Sequence, residues 1–339
     1  MRLLSPQTLL FCLAILLPSC ILLSMVIGPV NISLNILWDS LFAGDANSLD
    51  AMILTNIRIP RVLLGAYVGA TLACCGAVLQ GLFRNPLADP TLIGVSAGAS
   101  AGASFAIVLG ASLVHGGALF GISLVAIAAF TGGLITSLIV YRLASGPEGT
   151  SVATMLLAGI AISALAGAVN SLLSFFSDDE SLRRISLWQM GNLDAATWQH
   201  VWLMGSVFIV LIIAFQRDAR GLNAMLLGES EARHLGIEIE WMKRRLIIFT
   251  ALGIGVSVAV VGMVAFVGLI VPHLVRLLIG PDHRYLIPAS TMVGAILLML
   301  ADTLARIIVA PAELPAGVIT ALLGAPFFVS LLIQQRRVI

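Results

Sequence analysis

Of the 18 basic and 17 acidic residues in this chain, eleven fall in the 29 residues from Arg217 to Arg245, and on either side lie long apolar runs almost free of charge. A chain so divided has too little polar surface to cover a water-exposed globule. Only 10% of its 339 residues are charged and 59% are hydrophobic, against roughly a quarter charged in an ordinary soluble domain. A bilayer must therefore be the solvent for most of it. In hydrocarbon each crossing has to be helical, so that its backbone groups are satisfied within the segment.

The apolar runs predict ten helices, over 8–28, 60–82, 91–111, 117–141, 152–176, 197–215, 246–264, 266–280, 285–306 and 315–334. From Leu246 to Val275 there is no acid or base. That is long for one crossing and short for two, but Gly262, Gly268 and Pro272 offer places to turn or kink. Counting bases decides for two. With ten crossings and both termini in the cytoplasm, 13 of the 18 bases are cytoplasmic, and Arg58, Arg61, Arg183, Arg184 and Arg306 are external, as the positive-inside rule expects. Fusing the two crossings sends Arg336 and Arg337 outside.

The first run follows Arg2 and resembles a signal peptide, with a faint lipoprotein-like Leu17-Pro18-Ser19-Cys20, but it stays apolar through Ile27, so a retained helix is expected. Cys12, Cys20, Cys74 and Cys75 lie in apolar runs without C-x-x-C spacing and read as packing residues. Gly65 and Gly69, and Gly94, Gly98 and Gly102, recur every four positions, a pattern that lets helices approach closely.

The inventory is poor in catalytic groups. The five histidines are scattered, with no pair at metal-ligand spacing. Asp302 is the one carboxylate well inside a predicted crossing, and Arg306 shares its helix face four residues on, so the two read as an ion pair. A proton-coupled carrier ordinarily has acidic or histidine residues along its path, and an intramembrane enzyme needs a nucleophile or metal cluster at depth. Energy for transport would then enter from outside the membrane, through the charged window. The chain has no phosphate-binding Gly-Lys-Ser/Thr, because its sole lysine lies in Met242-Lys243-Arg244. Within the window Leu222–Leu227 and Glu231–Leu235 read as short amphipathic helices, separated by Gly228 and closed by Gly236, with Glu229 and Glu231 near a helix start.

Several segments carry a resemblance. Leu227-Gly228-Glu229-Ser230-Glu231-Ala232-Arg233-His234-Leu235-Gly236 is similar to the coupling helix of FecCD-type permeases, the membrane subunits of ABC importers for iron chelates, haem and cobalamin. Arg58-Ile59-Pro60-Arg61, the loop Gln80 to Pro90, Gly268 to His273, Ala301 to Arg306, and Glu313 to Gly317 followed by Gly324-Ala325-Pro326 match the family in order and spacing. The resemblance runs from about residue 55 to 335.

It implies an all-α polytopic membrane protein of about ten helices per subunit, with the type II importer fold of the cobalamin permease. Residues 1–339 would be a single permease domain and 217–245 a coupling loop within it. The implied partners are a second copy of the chain, two cytoplasmic ATP-binding subunits that hold ATP and Mg, a periplasmic substrate-binding protein and the lipid of a bacterial inner membrane, without nucleic acid. No cofactor is expected on this chain, and no enzymatic activity. Arg58, Arg61 and Arg306 resemble external arginines that receive carboxylates of the binding protein. Asn85 and Leu87 resemble a cytoplasmic gate. Leu227, Gly228, Glu229, Glu231, Ala232, Arg233, Leu235 and Gly236 would contact the ATPase. The helices Thr154–Phe176 and Ala316–Ile333 resemble path-lining elements, mostly small and apolar. Val152 and Ala153 stand where the cobalamin permease has hydroxyl residues, and the loop Ser177 to Gly191 is similar to haem permeases, so haem is the favoured cargo. A ferric siderophore or cobalamin is the alternative, and a secondary transporter without an ATPase is the alternative class.

Overall fold

The computed structural model describes residues 4–29, 49–89, 94–113, 118–119, 122–146 and 149–336. Arg2, Arg337, His115, Pro90 and the first residues of the predicted third crossing lie outside them.

Among the described residues there are twelve helices. They are α1 Pro6–Val26, α2 Leu49–Leu82, α3 Val95–Leu113, α4 Leu124–Ala144, α5 Val152–Phe175, α6 Asp179–Gln189, α7 Trp198–Met225, α8 Glu229–His234, α9 Ile239–Val261, α10 Val267–Ile279, α11 His283–Ile308 and α12 Ala316–Arg336. Two-residue antiparallel pairs, Ala118–Leu119 with Ile122–Ser123 and Ser145–Gly146 with Gly149–Thr150, sit at either end of α4. Ten of the twelve helices coincide with the predicted crossings. Seven of these are long and apolar enough to cross a membrane, and α3, α10 and α12 contribute shorter apolar stretches.

The axis of the bundle is α2, whose side chains from Ile59 to Leu82 are nearly all buried. It packs against α7, α9, α10 and most extensively α11, while α3 and α4 form a second closely crossed pair. Gly69 lies on the Gly294 carbonyl of α11, and Gly98 and Gly102 lie on the carbonyls of Gly132 and Ala128 in α4, with no room for a Cβ at any of the three. The glycine spacing is thus a spacing of backbone contacts at Gly69, Gly98 and Gly102, but not at Gly65, which has ordinary room, nor at Gly94, which meets only side chains and is set apart by its φ of 78°. Cys20, Cys74 and Cys75 are buried as free thiols and Cys12 is exposed.

The break between α9 and α10 falls at Gly262, which adopts φ 74° against the Trp188 carbonyl, and at Phe266, φ 67°. Gly268 and Pro272, the other expected turning points, lie inside α10; Pro272 is in a short helix whose neighbours supply the packing that a lost hydrogen bond requires. Before α2 proper, a π-helical turn spans Leu54–Arg58. Pro60 has no N–H to return to residue 56, and a wider turn accommodates that gap.

Three expectations need correction. Leu222–Leu227 is not a separate helix, since residues through Met225 continue α7. The crossing α7 runs ten residues beyond the predicted 215, and α9 begins at Ile239, seven before the predicted 246. Charged residues are good helix formers, so a helix does not stop where the hydrocarbon does. The predicted outer loop from Ser177 to Gly191 contains α6, started by Asp178, whose side chain accepts the Ser181 N–H at 2.9 Å.

Replacing Gly69 by Val should force α2 and α11 apart. Overpacking of this kind costs about 1–3 kcal/mol, which a lowered thermal midpoint of the detergent-solubilised chain would register.

Candidate functional site

Two polar constellations stand at opposite ends of the bundle. Arg58 closes the π-helical turn in the first part of α2 and Arg306 is near the end of α11, whereas Arg84 follows α2 and Asp282 precedes α11. The charged window joins the second pair, because the Asn223 amide of α7 donates to Asp282 at 2.6 Å.

At the first end the buried Asp302 carboxylate is held by Arg61, whose Nε donates to both oxygens at 3.1 Å and whose Nη2 donates at 2.9 Å. Arg61 Nη1 reaches Glu313 at 2.7 Å. Arg306 Nε is 3.2 Å from Asp302, a charge contact without hydrogen-bond alignment. The expected Asp302–Arg306 pair is present, but the better-aligned partner comes from another helix. Arg306 Nη2 also donates to the Ser24 carbonyl at 3.2 Å, and Arg58 Nη1 donates to those of Met25 and Val26 at 2.9 and 2.7 Å. These carbonyls close α1, so the two arginines cap its negative end. The structure brings Arg58, Arg61 and Arg306 together at one end of the bundle, each less than 5% exposed. Their forks are occupied within this chain, by Asp302, Glu313 and the carbonyls that end α1, and Asp50 lies close enough for its charge to act on Arg58.

At the second end, α8 is set off by Gly228, whose φ of 135° and proximity to the Glu231 carboxylate exclude a side chain. Glu229 pairs with the nearly buried Lys243 at 2.8 Å, and Arg233 with Glu240 at 3.6 Å, so two ion pairs tie α8 to the start of α9. Ala232 is buried beneath it. Leu227 and Leu235, 70% and 64% exposed, flank the helix and face away from the bundle. The Ser230 hydroxyl donates to Glu231 at 2.7 Å and, with the Arg84 charge, holds that carboxyl below the ordinary range. Arg84 belongs to the turn after α2, where it takes φ 48°. In the same turn the Asn85 side chain accepts the Leu87 N–H at 2.9 Å, and both residues are half-buried. The asparagine-proline turn is therefore present, and its Arg84 lies close enough to α8 for its charge to act on Glu231.

Between the two ends, an open cavity of 620 Å³ lies along α5 against α3 and α6. Ser163, Gly167, Asn170, Ser171 and Ser174 of α5 line it. Opposite them, the buried Ser100 hydroxyl oxygen accepts from the Asn170 amide at 3.0 Å and the Gln189 amide at 3.4 Å. The expectation of a smooth apolar surface on this helix needs correction: the face that opens on the cavity is small and polar, while Leu157, Leu165 and Leu172 are exposed elsewhere on the same helix. The spacing 163, 167, 170, 171, 174 is one helical face and was readable in the sequence.

The chain matches the FecCD transport family over residues 14–334. It belongs to that family. Over 334 residues it is 44% identical to the hemin transport system permease protein HmuU of Yersinia pestis, covering 98% of this chain and 97% of the relative. It is 45% identical over 281 residues to the cobalamin import system permease protein BtuC of Halobacterium salinarum, covering 83% and 73%. A solved structure described as an inward-facing metal-chelate type ABC transporter superposes with a TM-score of 0.84 at 32% identity, covering 97% of this chain and 99% of that one. PsaBC from Streptococcus pneumoniae, 18% identical with a TM-score of 0.56, shares the fold. This FecCD protein is therefore a multi-pass membrane permease, and its helical order is that of the metal-chelate transporter.

Two predictions follow from the ends of this FecCD bundle. Asp302→Asn leaves Arg61 and Arg306 buried without their shared anion, which should cost about 3–5 kcal/mol and appear as a large drop in the thermal midpoint, while Glu313→Gln, at a more exposed position, should lower it less. At the other end, hydrogen bonds from Arg284 and Asn223 lower the Asp282 carboxyl from 3.8 to about 2. Its charged form is favoured in the folded state, so the unfolded chain takes up the proton first as pH falls. This contribution is full above pH 3.8 and is lost on descending towards about 2; Asp282→Asn should lower the midpoint at neutral pH and flatten that part of the acid limb.

Proposed function

We propose that this chain is the membrane-spanning permease subunit of an ATP-driven importer, and that it moves haem from periplasm to cytoplasm by alternating access. The observation that carries the coupling half of this reading is α8. It is a short helix braced to α9 by two ion pairs, with Leu227 and Leu235 left facing outward. Exposed leucines beside a helix located by ion pairs suit a contact that must transmit force, and the sequence has no Gly-Lys-Ser/Thr nucleotide-binding loop. The partners on this reading are two cytoplasmic ATP-binding subunits, which hold ATP and Mg, a second copy of the chain, and a periplasmic binding protein, in a bacterial inner membrane with both termini cytoplasmic.

ATP-driven closure of the partner subunits would push on Leu227, Gly228, Glu229, Glu231, Ala232, Arg233, Leu235 and Gly236. The charge of Arg84 near Glu231 links that segment to the turn of Asn85 and Leu87, which we assign as the cytoplasmic gate. At the other end, the guanidinium groups of Arg58, Arg61 and Arg306 suit an acidic lobe of the binding protein, because a planar fork meets a carboxylate through paired hydrogen bonds. Because the side chains are buried here, docking by direct contact requires that one of their internal bonds be exchanged for a bond to the partner. Each ligand then shifts the balance between outward- and inward-open forms only through such differential contacts.

Haem is preferred as cargo because the relative named for hemin transport aligns with this chain from end to end. Cobalamin is the second reading, favoured by a relative of equal identity over a shorter span. Proteoliposomes containing the chain, its cognate ATPase and the binding protein should accumulate haem only with ATP, and should accumulate cobalamin and a ferric siderophore poorly. Charge reversal by Glu229→Lys with Glu231→Lys should abolish uptake with the protein still inserted. Uptake without ATP would overturn the mechanism, and preferential uptake of another chelate would overturn the cargo.

A further inference from the structure

A groove of 720 Å³ opens where α4 ends and α9 begins, and the transport reading makes no use of it. Its rim carries Tyr141, Trp241 and Arg244, and its floor carries Ile248 and Phe249. A smaller recess of 340 Å³ lies beside it, and Trp241 and Arg245 line both.

The charges of the rim sort into those with partners and one without. Arg245 is bound to Asp218 through two hydrogen bonds, one of them Nε to Oδ2 at 2.9 Å, and lies 5.2 Å from the Trp241 ring centroid. Glu240 is matched by Lys243 at 3.5 Å and Arg233 at 3.6 Å. Arg244 is exposed and forms no ion pair among the described residues. Among the described residues the groove thus presents one guanidinium, that of Arg244, without an ion pair. Arg142, also exposed, follows Tyr141 at the same end of α4.

The apolar part has a direction. Trp241, 60% exposed, and Ile248, 51% exposed, are two turns apart on one face of α9, with Ile248 deeper in the crossing. Leu138, Ile139 and Leu143 are exposed along the adjoining α4. Aromatic rings and a free cation at the mouth of a crossing, with exposed aliphatic side chains below them, form the sequence of environments that a phospholipid spans from headgroup to acyl chain. A soluble protein segment would gain nothing from Ile248 and Leu138 at membrane depth.

We propose that this groove is a binding site for an anionic phospholipid. Arg244 donates to the phosphodiester, Tyr141 and Trp241 flank the glycerol region, and the first methylenes of a chain lie on Ile248 and Phe249. A guanidinium suits this role because its planar fork meets phosphate oxygens in pairs. The site adjoins the brace of α8 through Glu240 and Lys243, so an occupant stiffens the start of the helix on which that brace is built. Neither the cargo nor the ATPase is assumed.

The test uses the full chain in nanodiscs. Brominated phosphatidylglycerol is titrated against brominated phosphatidylcholine, and the Trp241 signal is isolated by subtracting a Trp241→Phe variant that retains the other tryptophans. Phosphatidylglycerol should quench Trp241 with about fivefold preference, the scale of one surface arginine acting on an anionic lipid. Arg244→Gln should remove the preference, Arg244→Lys should keep part of it, and Arg184→Gln, on the exposed face of α6, should leave it unchanged. Equal quenching by the two lipids, or a preference that survives Arg244→Gln in folded protein, would overturn the site. If millimolar inorganic phosphate abolished the preference, Arg244 would be a free-anion site and the lipid assignment would fail. Should Arg244→Gln not fold, loss of preference in Arg244→Ala, or its persistence there, decides in the same way.

Discussion

Asp302 is the interaction on which one end of the molecule depends. A carboxylate at the edge of a hydrocarbon slab has no water to solvate it, and an isolated buried charge is among the most destabilising features a fold can carry. Arg61 answers with three hydrogen bonds from a different helix, and Arg306 adds a second charge from one turn along. Arg306 and Arg58 then have donors left over, and these go to the terminal carbonyls of α1. One buried anion thereby holds two cations in a nearly dry site, and Arg306 with Arg58 beside it fastens the first helix to the bundle. Without Asp302, Arg61 and Arg306 would lose their shared anion and repel one another.

The rest of the bundle is held by proximity. Where Gly69 meets the Gly294 carbonyl, and Gly98 and Gly102 meet α4, two backbones touch, and dispersion between close-packed atoms replaces the hydrophobic driving force that lipid cannot supply. This explains why α2 is buried almost completely while α5 and α12 expose Leu165, Phe175, Leu322 and Val329. The central helix has given up side chains for contact. The outer ones keep large apolar side chains that must be covered by lipid or by another copy, and between them α5 turns a narrow polar face to the cavity.

Much of this was legible in the residues, for identifiable reasons. Ten apolar runs became ten helices because hydrocarbon leaves the backbone no other choice. The break between α9 and α10 was legible because an uncharged stretch of 30 residues, Leu246 to Val275, is long for one crossing, but spacing alone did not choose Gly262 over Gly268 and Pro272. The partner of Asp302 was not, because Arg306 is four residues away and Arg61 is 241, and local spacing carries no information about the distant one. The helix Asp179–Gln189 was hidden by its polarity: charge reads as loop unless the Asp178 cap is recognised. The serine and asparagine face of α5 was hidden differently, since the average along that helix is apolar and only the helical period separates its two sides.

The two ends are built to respond differently to load, and that difference bears on coupling. At the arginine end the bonds to Asp302 are internal and buried, with only Glu313 partly exposed, so disturbing Asp302 means exposing or unpairing a charge. At the window end the bonds from α8 to α9 run between Lys243 and Glu229 and between Arg233 and Glu240; the second pair is exposed on both sides and Glu229 is partly so. Water is available there to take the place of a lost partner, so these pairs exchange at small cost. A helix held by such bonds can shift under a push of modest energy and still be located well enough to receive it. The buried cluster at the far end changes only when something of matching charge replaces what it gives up. On the coupling proposed for α8, energy entering at the compliant end would meet a stiffer one, an arrangement that favours tilting of whole helices over local unfolding.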